Sequence, residues 1–149
     1  MIRRHVIPEG LRVLPDGSWR VGDEPVTHAR RLRYFKERLV FEEGSAFVAD
    51  GAARAAVSVE GPPFQVESIV LDAEKSEMRV RLDDGTEEAL AEPVVAMKPD
   101  TGQFECVVKG GRTRAVLSDS AHLLLLDRLE EENGEFFVPF GARRCRVVP

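Results

Sequence analysis

Arg38-Leu39-Val40-Phe41-Glu42-Glu43-Gly44-Ser45-Ala46-Phe47-Val48-Ala49-Asp50-Gly51-Ala52-Ala53-Arg54 returns ninety positions later as Arg128-Leu129-Glu130-Glu131-Glu132-Asn133-Gly134-Glu135-Phe136-Phe137-Val138-Pro139-Phe140-Gly141-Ala142-Arg143-Arg144. The overlay of residues 25–59 on 115–149 needs no gap, and 11 of 35 positions are identical. Unrelated segments of average composition would share about two. Two copies are too few for a solenoid, so the repeat reads as a duplication inside one compact protein. Upstream, a slip of five residues sets Trp19-Arg20-Val21 on Phe104-Glu105-Cys106.

In the first copy Pro15-Asp16-Gly17-Ser18 has the residues of a tight turn, followed by a short strand at Trp19-Arg20-Val21. Thr27 is placed to cap a helix from His28 to about Val40, whose apolar positions Ala29, Leu32, Phe35 and Leu39 form one face. Gly44 ends that element, and Ala46-Phe47-Val48 is a strand. In the second copy Lys109-Gly110-Gly111 marks a hairpin, and Ser118 caps a helix from Asp119 to about Glu131. Glu130, Glu131 and Glu132 would oppose the dipole at its end, and Asn133-Gly134 would close it. Between the copies the period is two, with hairpin turns at Asp72-Ala73-Glu74-Lys75 and Asp83-Asp84-Gly85.

The sum is about ten short strands and two helices. This predicts an α+β fold of two repeated modules, each of curved antiparallel strands with one helix on an apolar face or barrel mouth. Gly61-Pro62-Pro63 punctuates the chain, giving an N-terminal module at 1–60 and a β-rich C-terminal module at 61–149. No βαβ rhythm appears, which argues against a dinucleotide-binding sheet.

Composition narrows the function classes. Hydrophobic residues are 43% and charged residues 32%, as in soluble folded proteins. The net charge of -5 argues against general nucleic-acid binding. It is unevenly spread: +4 over residues 1–40, -9 over 41–100, and zero over 101–149. A basic first third and an acidic middle third are complementary, within the chain or with a neighbour. No run approaches the ~20 apolar residues of a membrane helix. Met1-Ile2-Arg3-Arg4-His5 leads into no apolar signal, so a cytoplasmic location is expected. Cys106 and Cys145 are then reduced thiols, read as buried small hydrophobes.

Most chemistry is declined by spacing. His5, His28 and His122 form no metal-binding pair, so no metal or cofactor is expected. Gly-x-Ser-x-Gly is absent, and Gly110-Gly111-Arg112 is too short for a phosphate loop. Two features remain. Arg30, Arg31, Arg33, Lys36 and Arg38 line the first helix, read first as a solvated face and second as a surface for an anion. Gly51-Ala52-Ala53-Arg54 and Gly141-Ala142-Arg143-Arg144 repeat one turn, whose arginine should do the same structural job twice. Arg38 with Glu42, and Arg128 with Glu132, read as repeated helical i,i+4 pairs.

Asp16-Gly17-Ser18-Trp19 with Gly22, the basic helix to Leu39, Gly61-Pro62-Pro63-Phe64-Gln65-Val66, Asp83-Asp84-Gly85 and Phe104-Glu105-Cys106-Val107-Val108 before a leucine-rich helix follow one another in order. Together, over about residues 10 to 148, they resemble the bacterial domain-of-unknown-function family numbered 1285. The resemblance implies a duplicated α+β core and a C-terminal half like a pleckstrin-homology barrel. It also implies a binding site where the halves meet, with a role in signalling, and no catalytic residues. The chain departs from that pattern at His122 with its leucines, and at Glu105-Cys106.

The sequence therefore favours a non-enzymatic module that binds a small anionic ligand or an acidic protein. The expected cleft lies at the junction of the repeats, lined by Trp19, Arg20, Arg31, Arg54 and Arg144. One alternative is a structural protein forming homo-oligomers through the leucine-rich helix. The other is an enzyme built on carboxylates with His122 or Cys106.

Overall fold

A computed structural model describes residues 7–149, so His5 lies outside the described residues. The chain forms two compact units, Met1–Pro63 and Phe64–Pro149.

The first unit is one six-stranded sheet with one helix. Its elements are β1 Leu11–Val13, β2 Trp19–Val21, β3 Glu24–Pro25, α1 Ala29–Glu37, β4 Leu39–Glu42, β5 Ser45–Asp50 and β6 Ala53–Val59. The spatial order is β3-β2-β1-β6-β5-β4, with β1 and β6 parallel at the centre. Alternation along the strands puts Leu11, Val13, Trp19 and Val48 on one face, where Phe35 of α1 joins them in the core.

The second unit contains β7 Phe64–Asp72, β8 Glu77–Leu82, β9 Glu87–Ala89, β10 Val94–Met97, β11 Phe104–Val108 and β12 Thr113–Leu117. Then come α2 Asp119–Asp127, β13 Glu130–Glu132, β14 Glu135–Phe140 and β15 Arg143–Val148. The order is β13-β14-β15-β10-β11-β12-β7-β8-β9. Helix α2 packs on β7 and β12, burying Ala121 and Leu125.

Six of these nine strands repeat the first sheet. Read from β12 to β13 the order is β12-β11-β10-β15-β14-β13, the counterpart of β3-β2-β1-β6-β5-β4. The central parallel pair recurs, Leu11 facing Val57 in one unit and Val95 facing Val147 in the other. The hairpins keep register residue for residue: Ala46 faces Val57 as Phe136 faces Val147, and Asp50 faces Ala53 as Phe140 faces Arg143. Trp19 faces Val13 as Phe104 faces Met97, in line with the five-residue slip. The duplication is thus a property of the fold. The meander β7–β9 is the addition, laid parallel along β12; the corresponding margin, β3, is left bare in the first unit.

Four expectations are corrected. First, no sheet closes or curls into a pleckstrin-homology-like barrel: β13 and β9 are the free edges of an open sheet. Both are acidic, Glu130-Glu131-Glu132 and Glu87-Glu88, and pairing them would set like charges opposite one another. Second, the sheets are mixed, with three parallel pairings, and the described residues form fifteen strands instead of ten. Third, both helices are shorter than their apolar spacing suggested. Each stops before an edge strand, which turns at Glu43-Gly44 (φ 49° and 80°) or Asn133-Gly134 (φ 55° and 81°). Two successive positive φ values make the tight turn that matches strand twist, so these glycines serve hairpins and end no helix. The three glutamates stand on an edge strand and oppose no dipole. Fourth, Thr27 does not cap α1: the cap position is His28, without a side-chain hydrogen bond. In α2 the Ser118 hydroxyl does accept from Ala121 N, at 3.2 Å. Among the described residues no helix is long and apolar enough to cross a membrane.

Candidate functional site

The arginines of the repeated turn occupy equivalent places. Arg54 Nη2 meets Glu42 Oε2 at 2.5 Å and its guanidinium lies 4.1 Å from the Phe47 ring centre. Arg144 Nη1 meets Glu132 Oε2 at 3.1 Å and lies 4.1 Å from Phe137. Each arginine on the third strand of a hairpin thus lies on the phenylalanine of the second and reaches the glutamate of the first. The helical pairs expected of Arg38 with Glu42 and Arg128 with Glu132 are replaced by this arrangement, because the helices end before either glutamate.

Trp19 and Arg31 are brought together by Phe35. The indole, 2% exposed, stacks on that ring at 6.1 Å and donates from Nε1 to the Pro63 carbonyl at 3.0 Å. Arg31 is exposed, its guanidinium 5.5 Å from the same ring. Arg20 stands on the opposite face of the sheet from Trp19, with Nη1 on the Asp23 carbonyl at 2.9 Å. The α1 cations do not form one patch. Arg33 pairs with Glu37, and Arg38 lies over Tyr34 at 3.8 Å and 3.7 Å from Asp50. Tyr34 donates to Asp50 Oδ2 at 2.5 Å; partial burial and then this bond push its phenol upward.

Both thiols are buried, and burial pushes Cys106 up to about 12 and Cys145 to about 11. Protonated at neutral pH, they pack as small hydrophobes. His122 lies against Phe104, ring centres 4.3 Å apart. Among the described residues no group of three or more His, Cys, Asp or Glu is placed to hold a metal ion.

The second unit holds two buried acids. Glu105, 5% exposed, is met by Lys98 Nζ at 2.9 Å and Arg114 Nη1 at 3.1 Å. Asp84, 8% exposed, takes Lys109 Nζ at 2.5 Å, Thr86 N at 3.0 Å and Thr86 Oγ1 at 2.6 Å. Burial pushes the Asp84 carboxyl up, but the Lys109 and Thr86 hydrogen bonds outweigh it and hold the group below its usual value. The Lys109 ammonium also sits 4.9 Å from the Phe64 ring.

Two grooves of opposite character open on this unit. One, of about 600 Å³, is bounded by Glu88, Glu92 and Glu105, with Arg114 on the last of these. The other, of about 540 Å³, lies at the ends of β10, β14 and β15, lined by Arg144, Arg146 and Glu135 from one face of the sheet and by Met97, Phe136 and Val147 from the other. Met97 and Phe136 are 42% and 43% exposed. Arg146 is exposed and makes no ion pair among the described residues. The first groove sets three carboxylates against Arg114, and the second sets two guanidiniums, one already paired with Glu132, against the Glu135 carboxylate. Of the five residues singled out from sequence, Arg144 lines this groove. Arg146, Met97 and Phe136 were missed. The one available signal was Arg144-Cys145-Arg146, where alternation puts both guanidiniums on one face of a strand.

No protein-family model matches the sequence, and no curated protein matches it. Solved structures do share the fold. A DUF1285 family protein from Silicibacter pomeroyi DSS-3 superposes with a TM-score of 0.68 and 20% identity over 92% of this chain and 78% of that one. A DUF1285 family protein from Shewanella baltica OS155 gives 0.53 and 16% identity over 79% and 91%. The chain thus shares the fold of these DUF1285-family proteins, which bears out the resemblance at the level of fold.

Proposed function

We propose that the chain is a non-enzymatic binding module for an anionic, partly apolar small molecule or an acidic protein segment, received by the groove over β10, β14 and β15. One observation carries this reading: an exposed, unpaired Arg146 lines the same groove as half-exposed Phe136 and Met97, which reach it from the other face of the sheet. Phe136 and Met97 take the apolar body, and the Arg146 guanidinium takes the charge, since Arg144 already holds Glu132. A signalling role follows from the family resemblance and is compatible with a binder.

Anilinonaphthalene sulfonate has both features and is the probe. A charge-assisted hydrogen bond contributes about 1.5–3 kcal/mol, so Arg146→Glu weakens its binding at least tenfold, read by fluorescence titration. Arg146→Lys retains most of it. Equal affinity in wild type and Arg146→Glu removes the reading.

A second reading rests on α2. Leu123 and Leu126 are 62% and 42% exposed, at the helical positions where α1 carries Arg33 and Lys36. Lys36 is buried in α1, so only the exposed Arg33 has an exposed apolar counterpart, and two exposed leucines three residues apart fit self-association through α2. Light scattering should find an oligomer that becomes a monomer in the double variant Leu123→Arg, Leu126→Lys. A wild-type monomer at high concentration discards this reading.

A further inference from the structure

We infer that the outer face of the first sheet binds a carboxylate between Arg12 and Arg20. The two residues are directly opposite on antiparallel β1 and β2, and Ser58 of β6 is opposite Arg12 on its other side. All three face away from the core that buries Leu11, Val13 and Trp19. Like charges directly opposite destabilise a strand pair unless something lies between them. The described ion pairs of this unit join Arg33 to Glu37, Arg38 to Asp50 and Arg54 to Glu42, and none reaches Arg12 or Arg20. Arg20 is held by one bond to the Asp23 carbonyl, while its Nε is buried without a hydrogen-bond partner.

The duplicate shows what is missing. The residues corresponding to Arg12 and Arg20 in the second sheet are Ala96 and Glu105, opposite one another on β10 and β11. There the face carries an acid held by two cations, Lys98 and Arg114. At the same place the first sheet carries two cations that no ion pair among the described residues reaches; Asp16 feels the charge of Arg20, and Glu42 is held by Arg54 farther along the face. A carboxylate from outside supplies the complement that the second unit contains internally. Two guanidiniums about one strand spacing apart, with the Ser58 hydroxyl on the same face, suit a carboxylate better than an apolar or cationic group. This site is independent of the groove over β10, β14 and β15.

The test is thermal unfolding of the full chain at constant ionic strength, titrated with succinate or with a tetraglutamate peptide against sodium chloride. A saturable rise in midpoint is expected, with the apparent affinity at least tenfold weaker in Arg12→Gln and in Arg20→Gln. Saturation by succinate identifies a free acid as the ligand class; saturation by the peptide alone identifies an acidic segment. Arg12→Glu, which places a carboxylate opposite Arg20, should raise the midpoint without any probe and abolish the response. The inference is overturned if chloride gives the same rise, if neither probe saturates, or if both glutamine variants respond like wild type.

Discussion

Asp84 gives the sharpest test of what holds the second unit together. Its side chain is 3% exposed, and it ties the β8–β9 turn to Lys109 at the end of β11. Asp84→Asn keeps the shape and one acceptor for Thr86, but removes the charge under the Lys109 ammonium. Breaking a buried pair by removing one partner costs about 3–5 kcal/mol. Lys109 is 24% exposed and keeps the Phe64 ring, so the cost falls to about 2 kcal/mol. Lys109→Met should cost more, because it leaves the buried carboxylate alone, and the double variant should recover part of the loss. The assay is urea unfolding at pH 7, repeated down to pH 3. The Asp84 carboxyl is held below its usual value of 3.8, so the stabilisation is fully present above that value and fades as pH falls through and below it. The gap between wild type and Asp84→Asn should narrow over the same window. A loss under about 0.5 kcal/mol at pH 7, the ceiling for an ordinary surface substitution, or a gap indifferent to pH, refutes the reasoning.

Arg54→Met and Arg144→Met should each cost about 0.5–1.5 kcal/mol in urea unfolding, and by nearly the same amount, since both lose an exposed ion pair and a ring contact. A large difference would show that the two hairpins are held by different forces. Gly61→Ala should destabilise the chain by about 3 kcal/mol, because its methyl would lie 2.2 Å from the Leu14 carbonyl oxygen; fluorescence of the single tryptophan reads the loss. Cys106 and Cys145 should resist a thiol-specific disulfide reagent at pH 8 and react promptly once urea unfolds the chain. Fast labelling of the folded protein would contradict their burial.

The repeat was legible because its hairpins keep register residue for residue, so a local signal carried tertiary information. The helix ends were not legible: Leu39 and Leu129 extend the helical spacing while belonging to the hairpin side of the boundary. Asn133-Gly134 is a hairpin signal, but after a helical run the same pair also suits a helix stop. The misplaced boundary then produced the false Arg38–Glu42 pair. Three parallel pairings had no signal at all, since a strand's sequence does not record which neighbour it meets. For the same reason Arg144 could be singled out by its repeated turn, whereas Met97 and Phe136 become groove residues only once β15 lies between β10 and β14.

The outermost strand of the first sheet ends at Pro25, whose ring nitrogen has no hydrogen to give. Its counterpart in the second sheet accepted three further strands, while this side is terminated chemically after two residues. Any chain that extends the first sheet must therefore arrive from the other side, along Leu39–Glu42, so assembly by strand addition has a single permitted direction there.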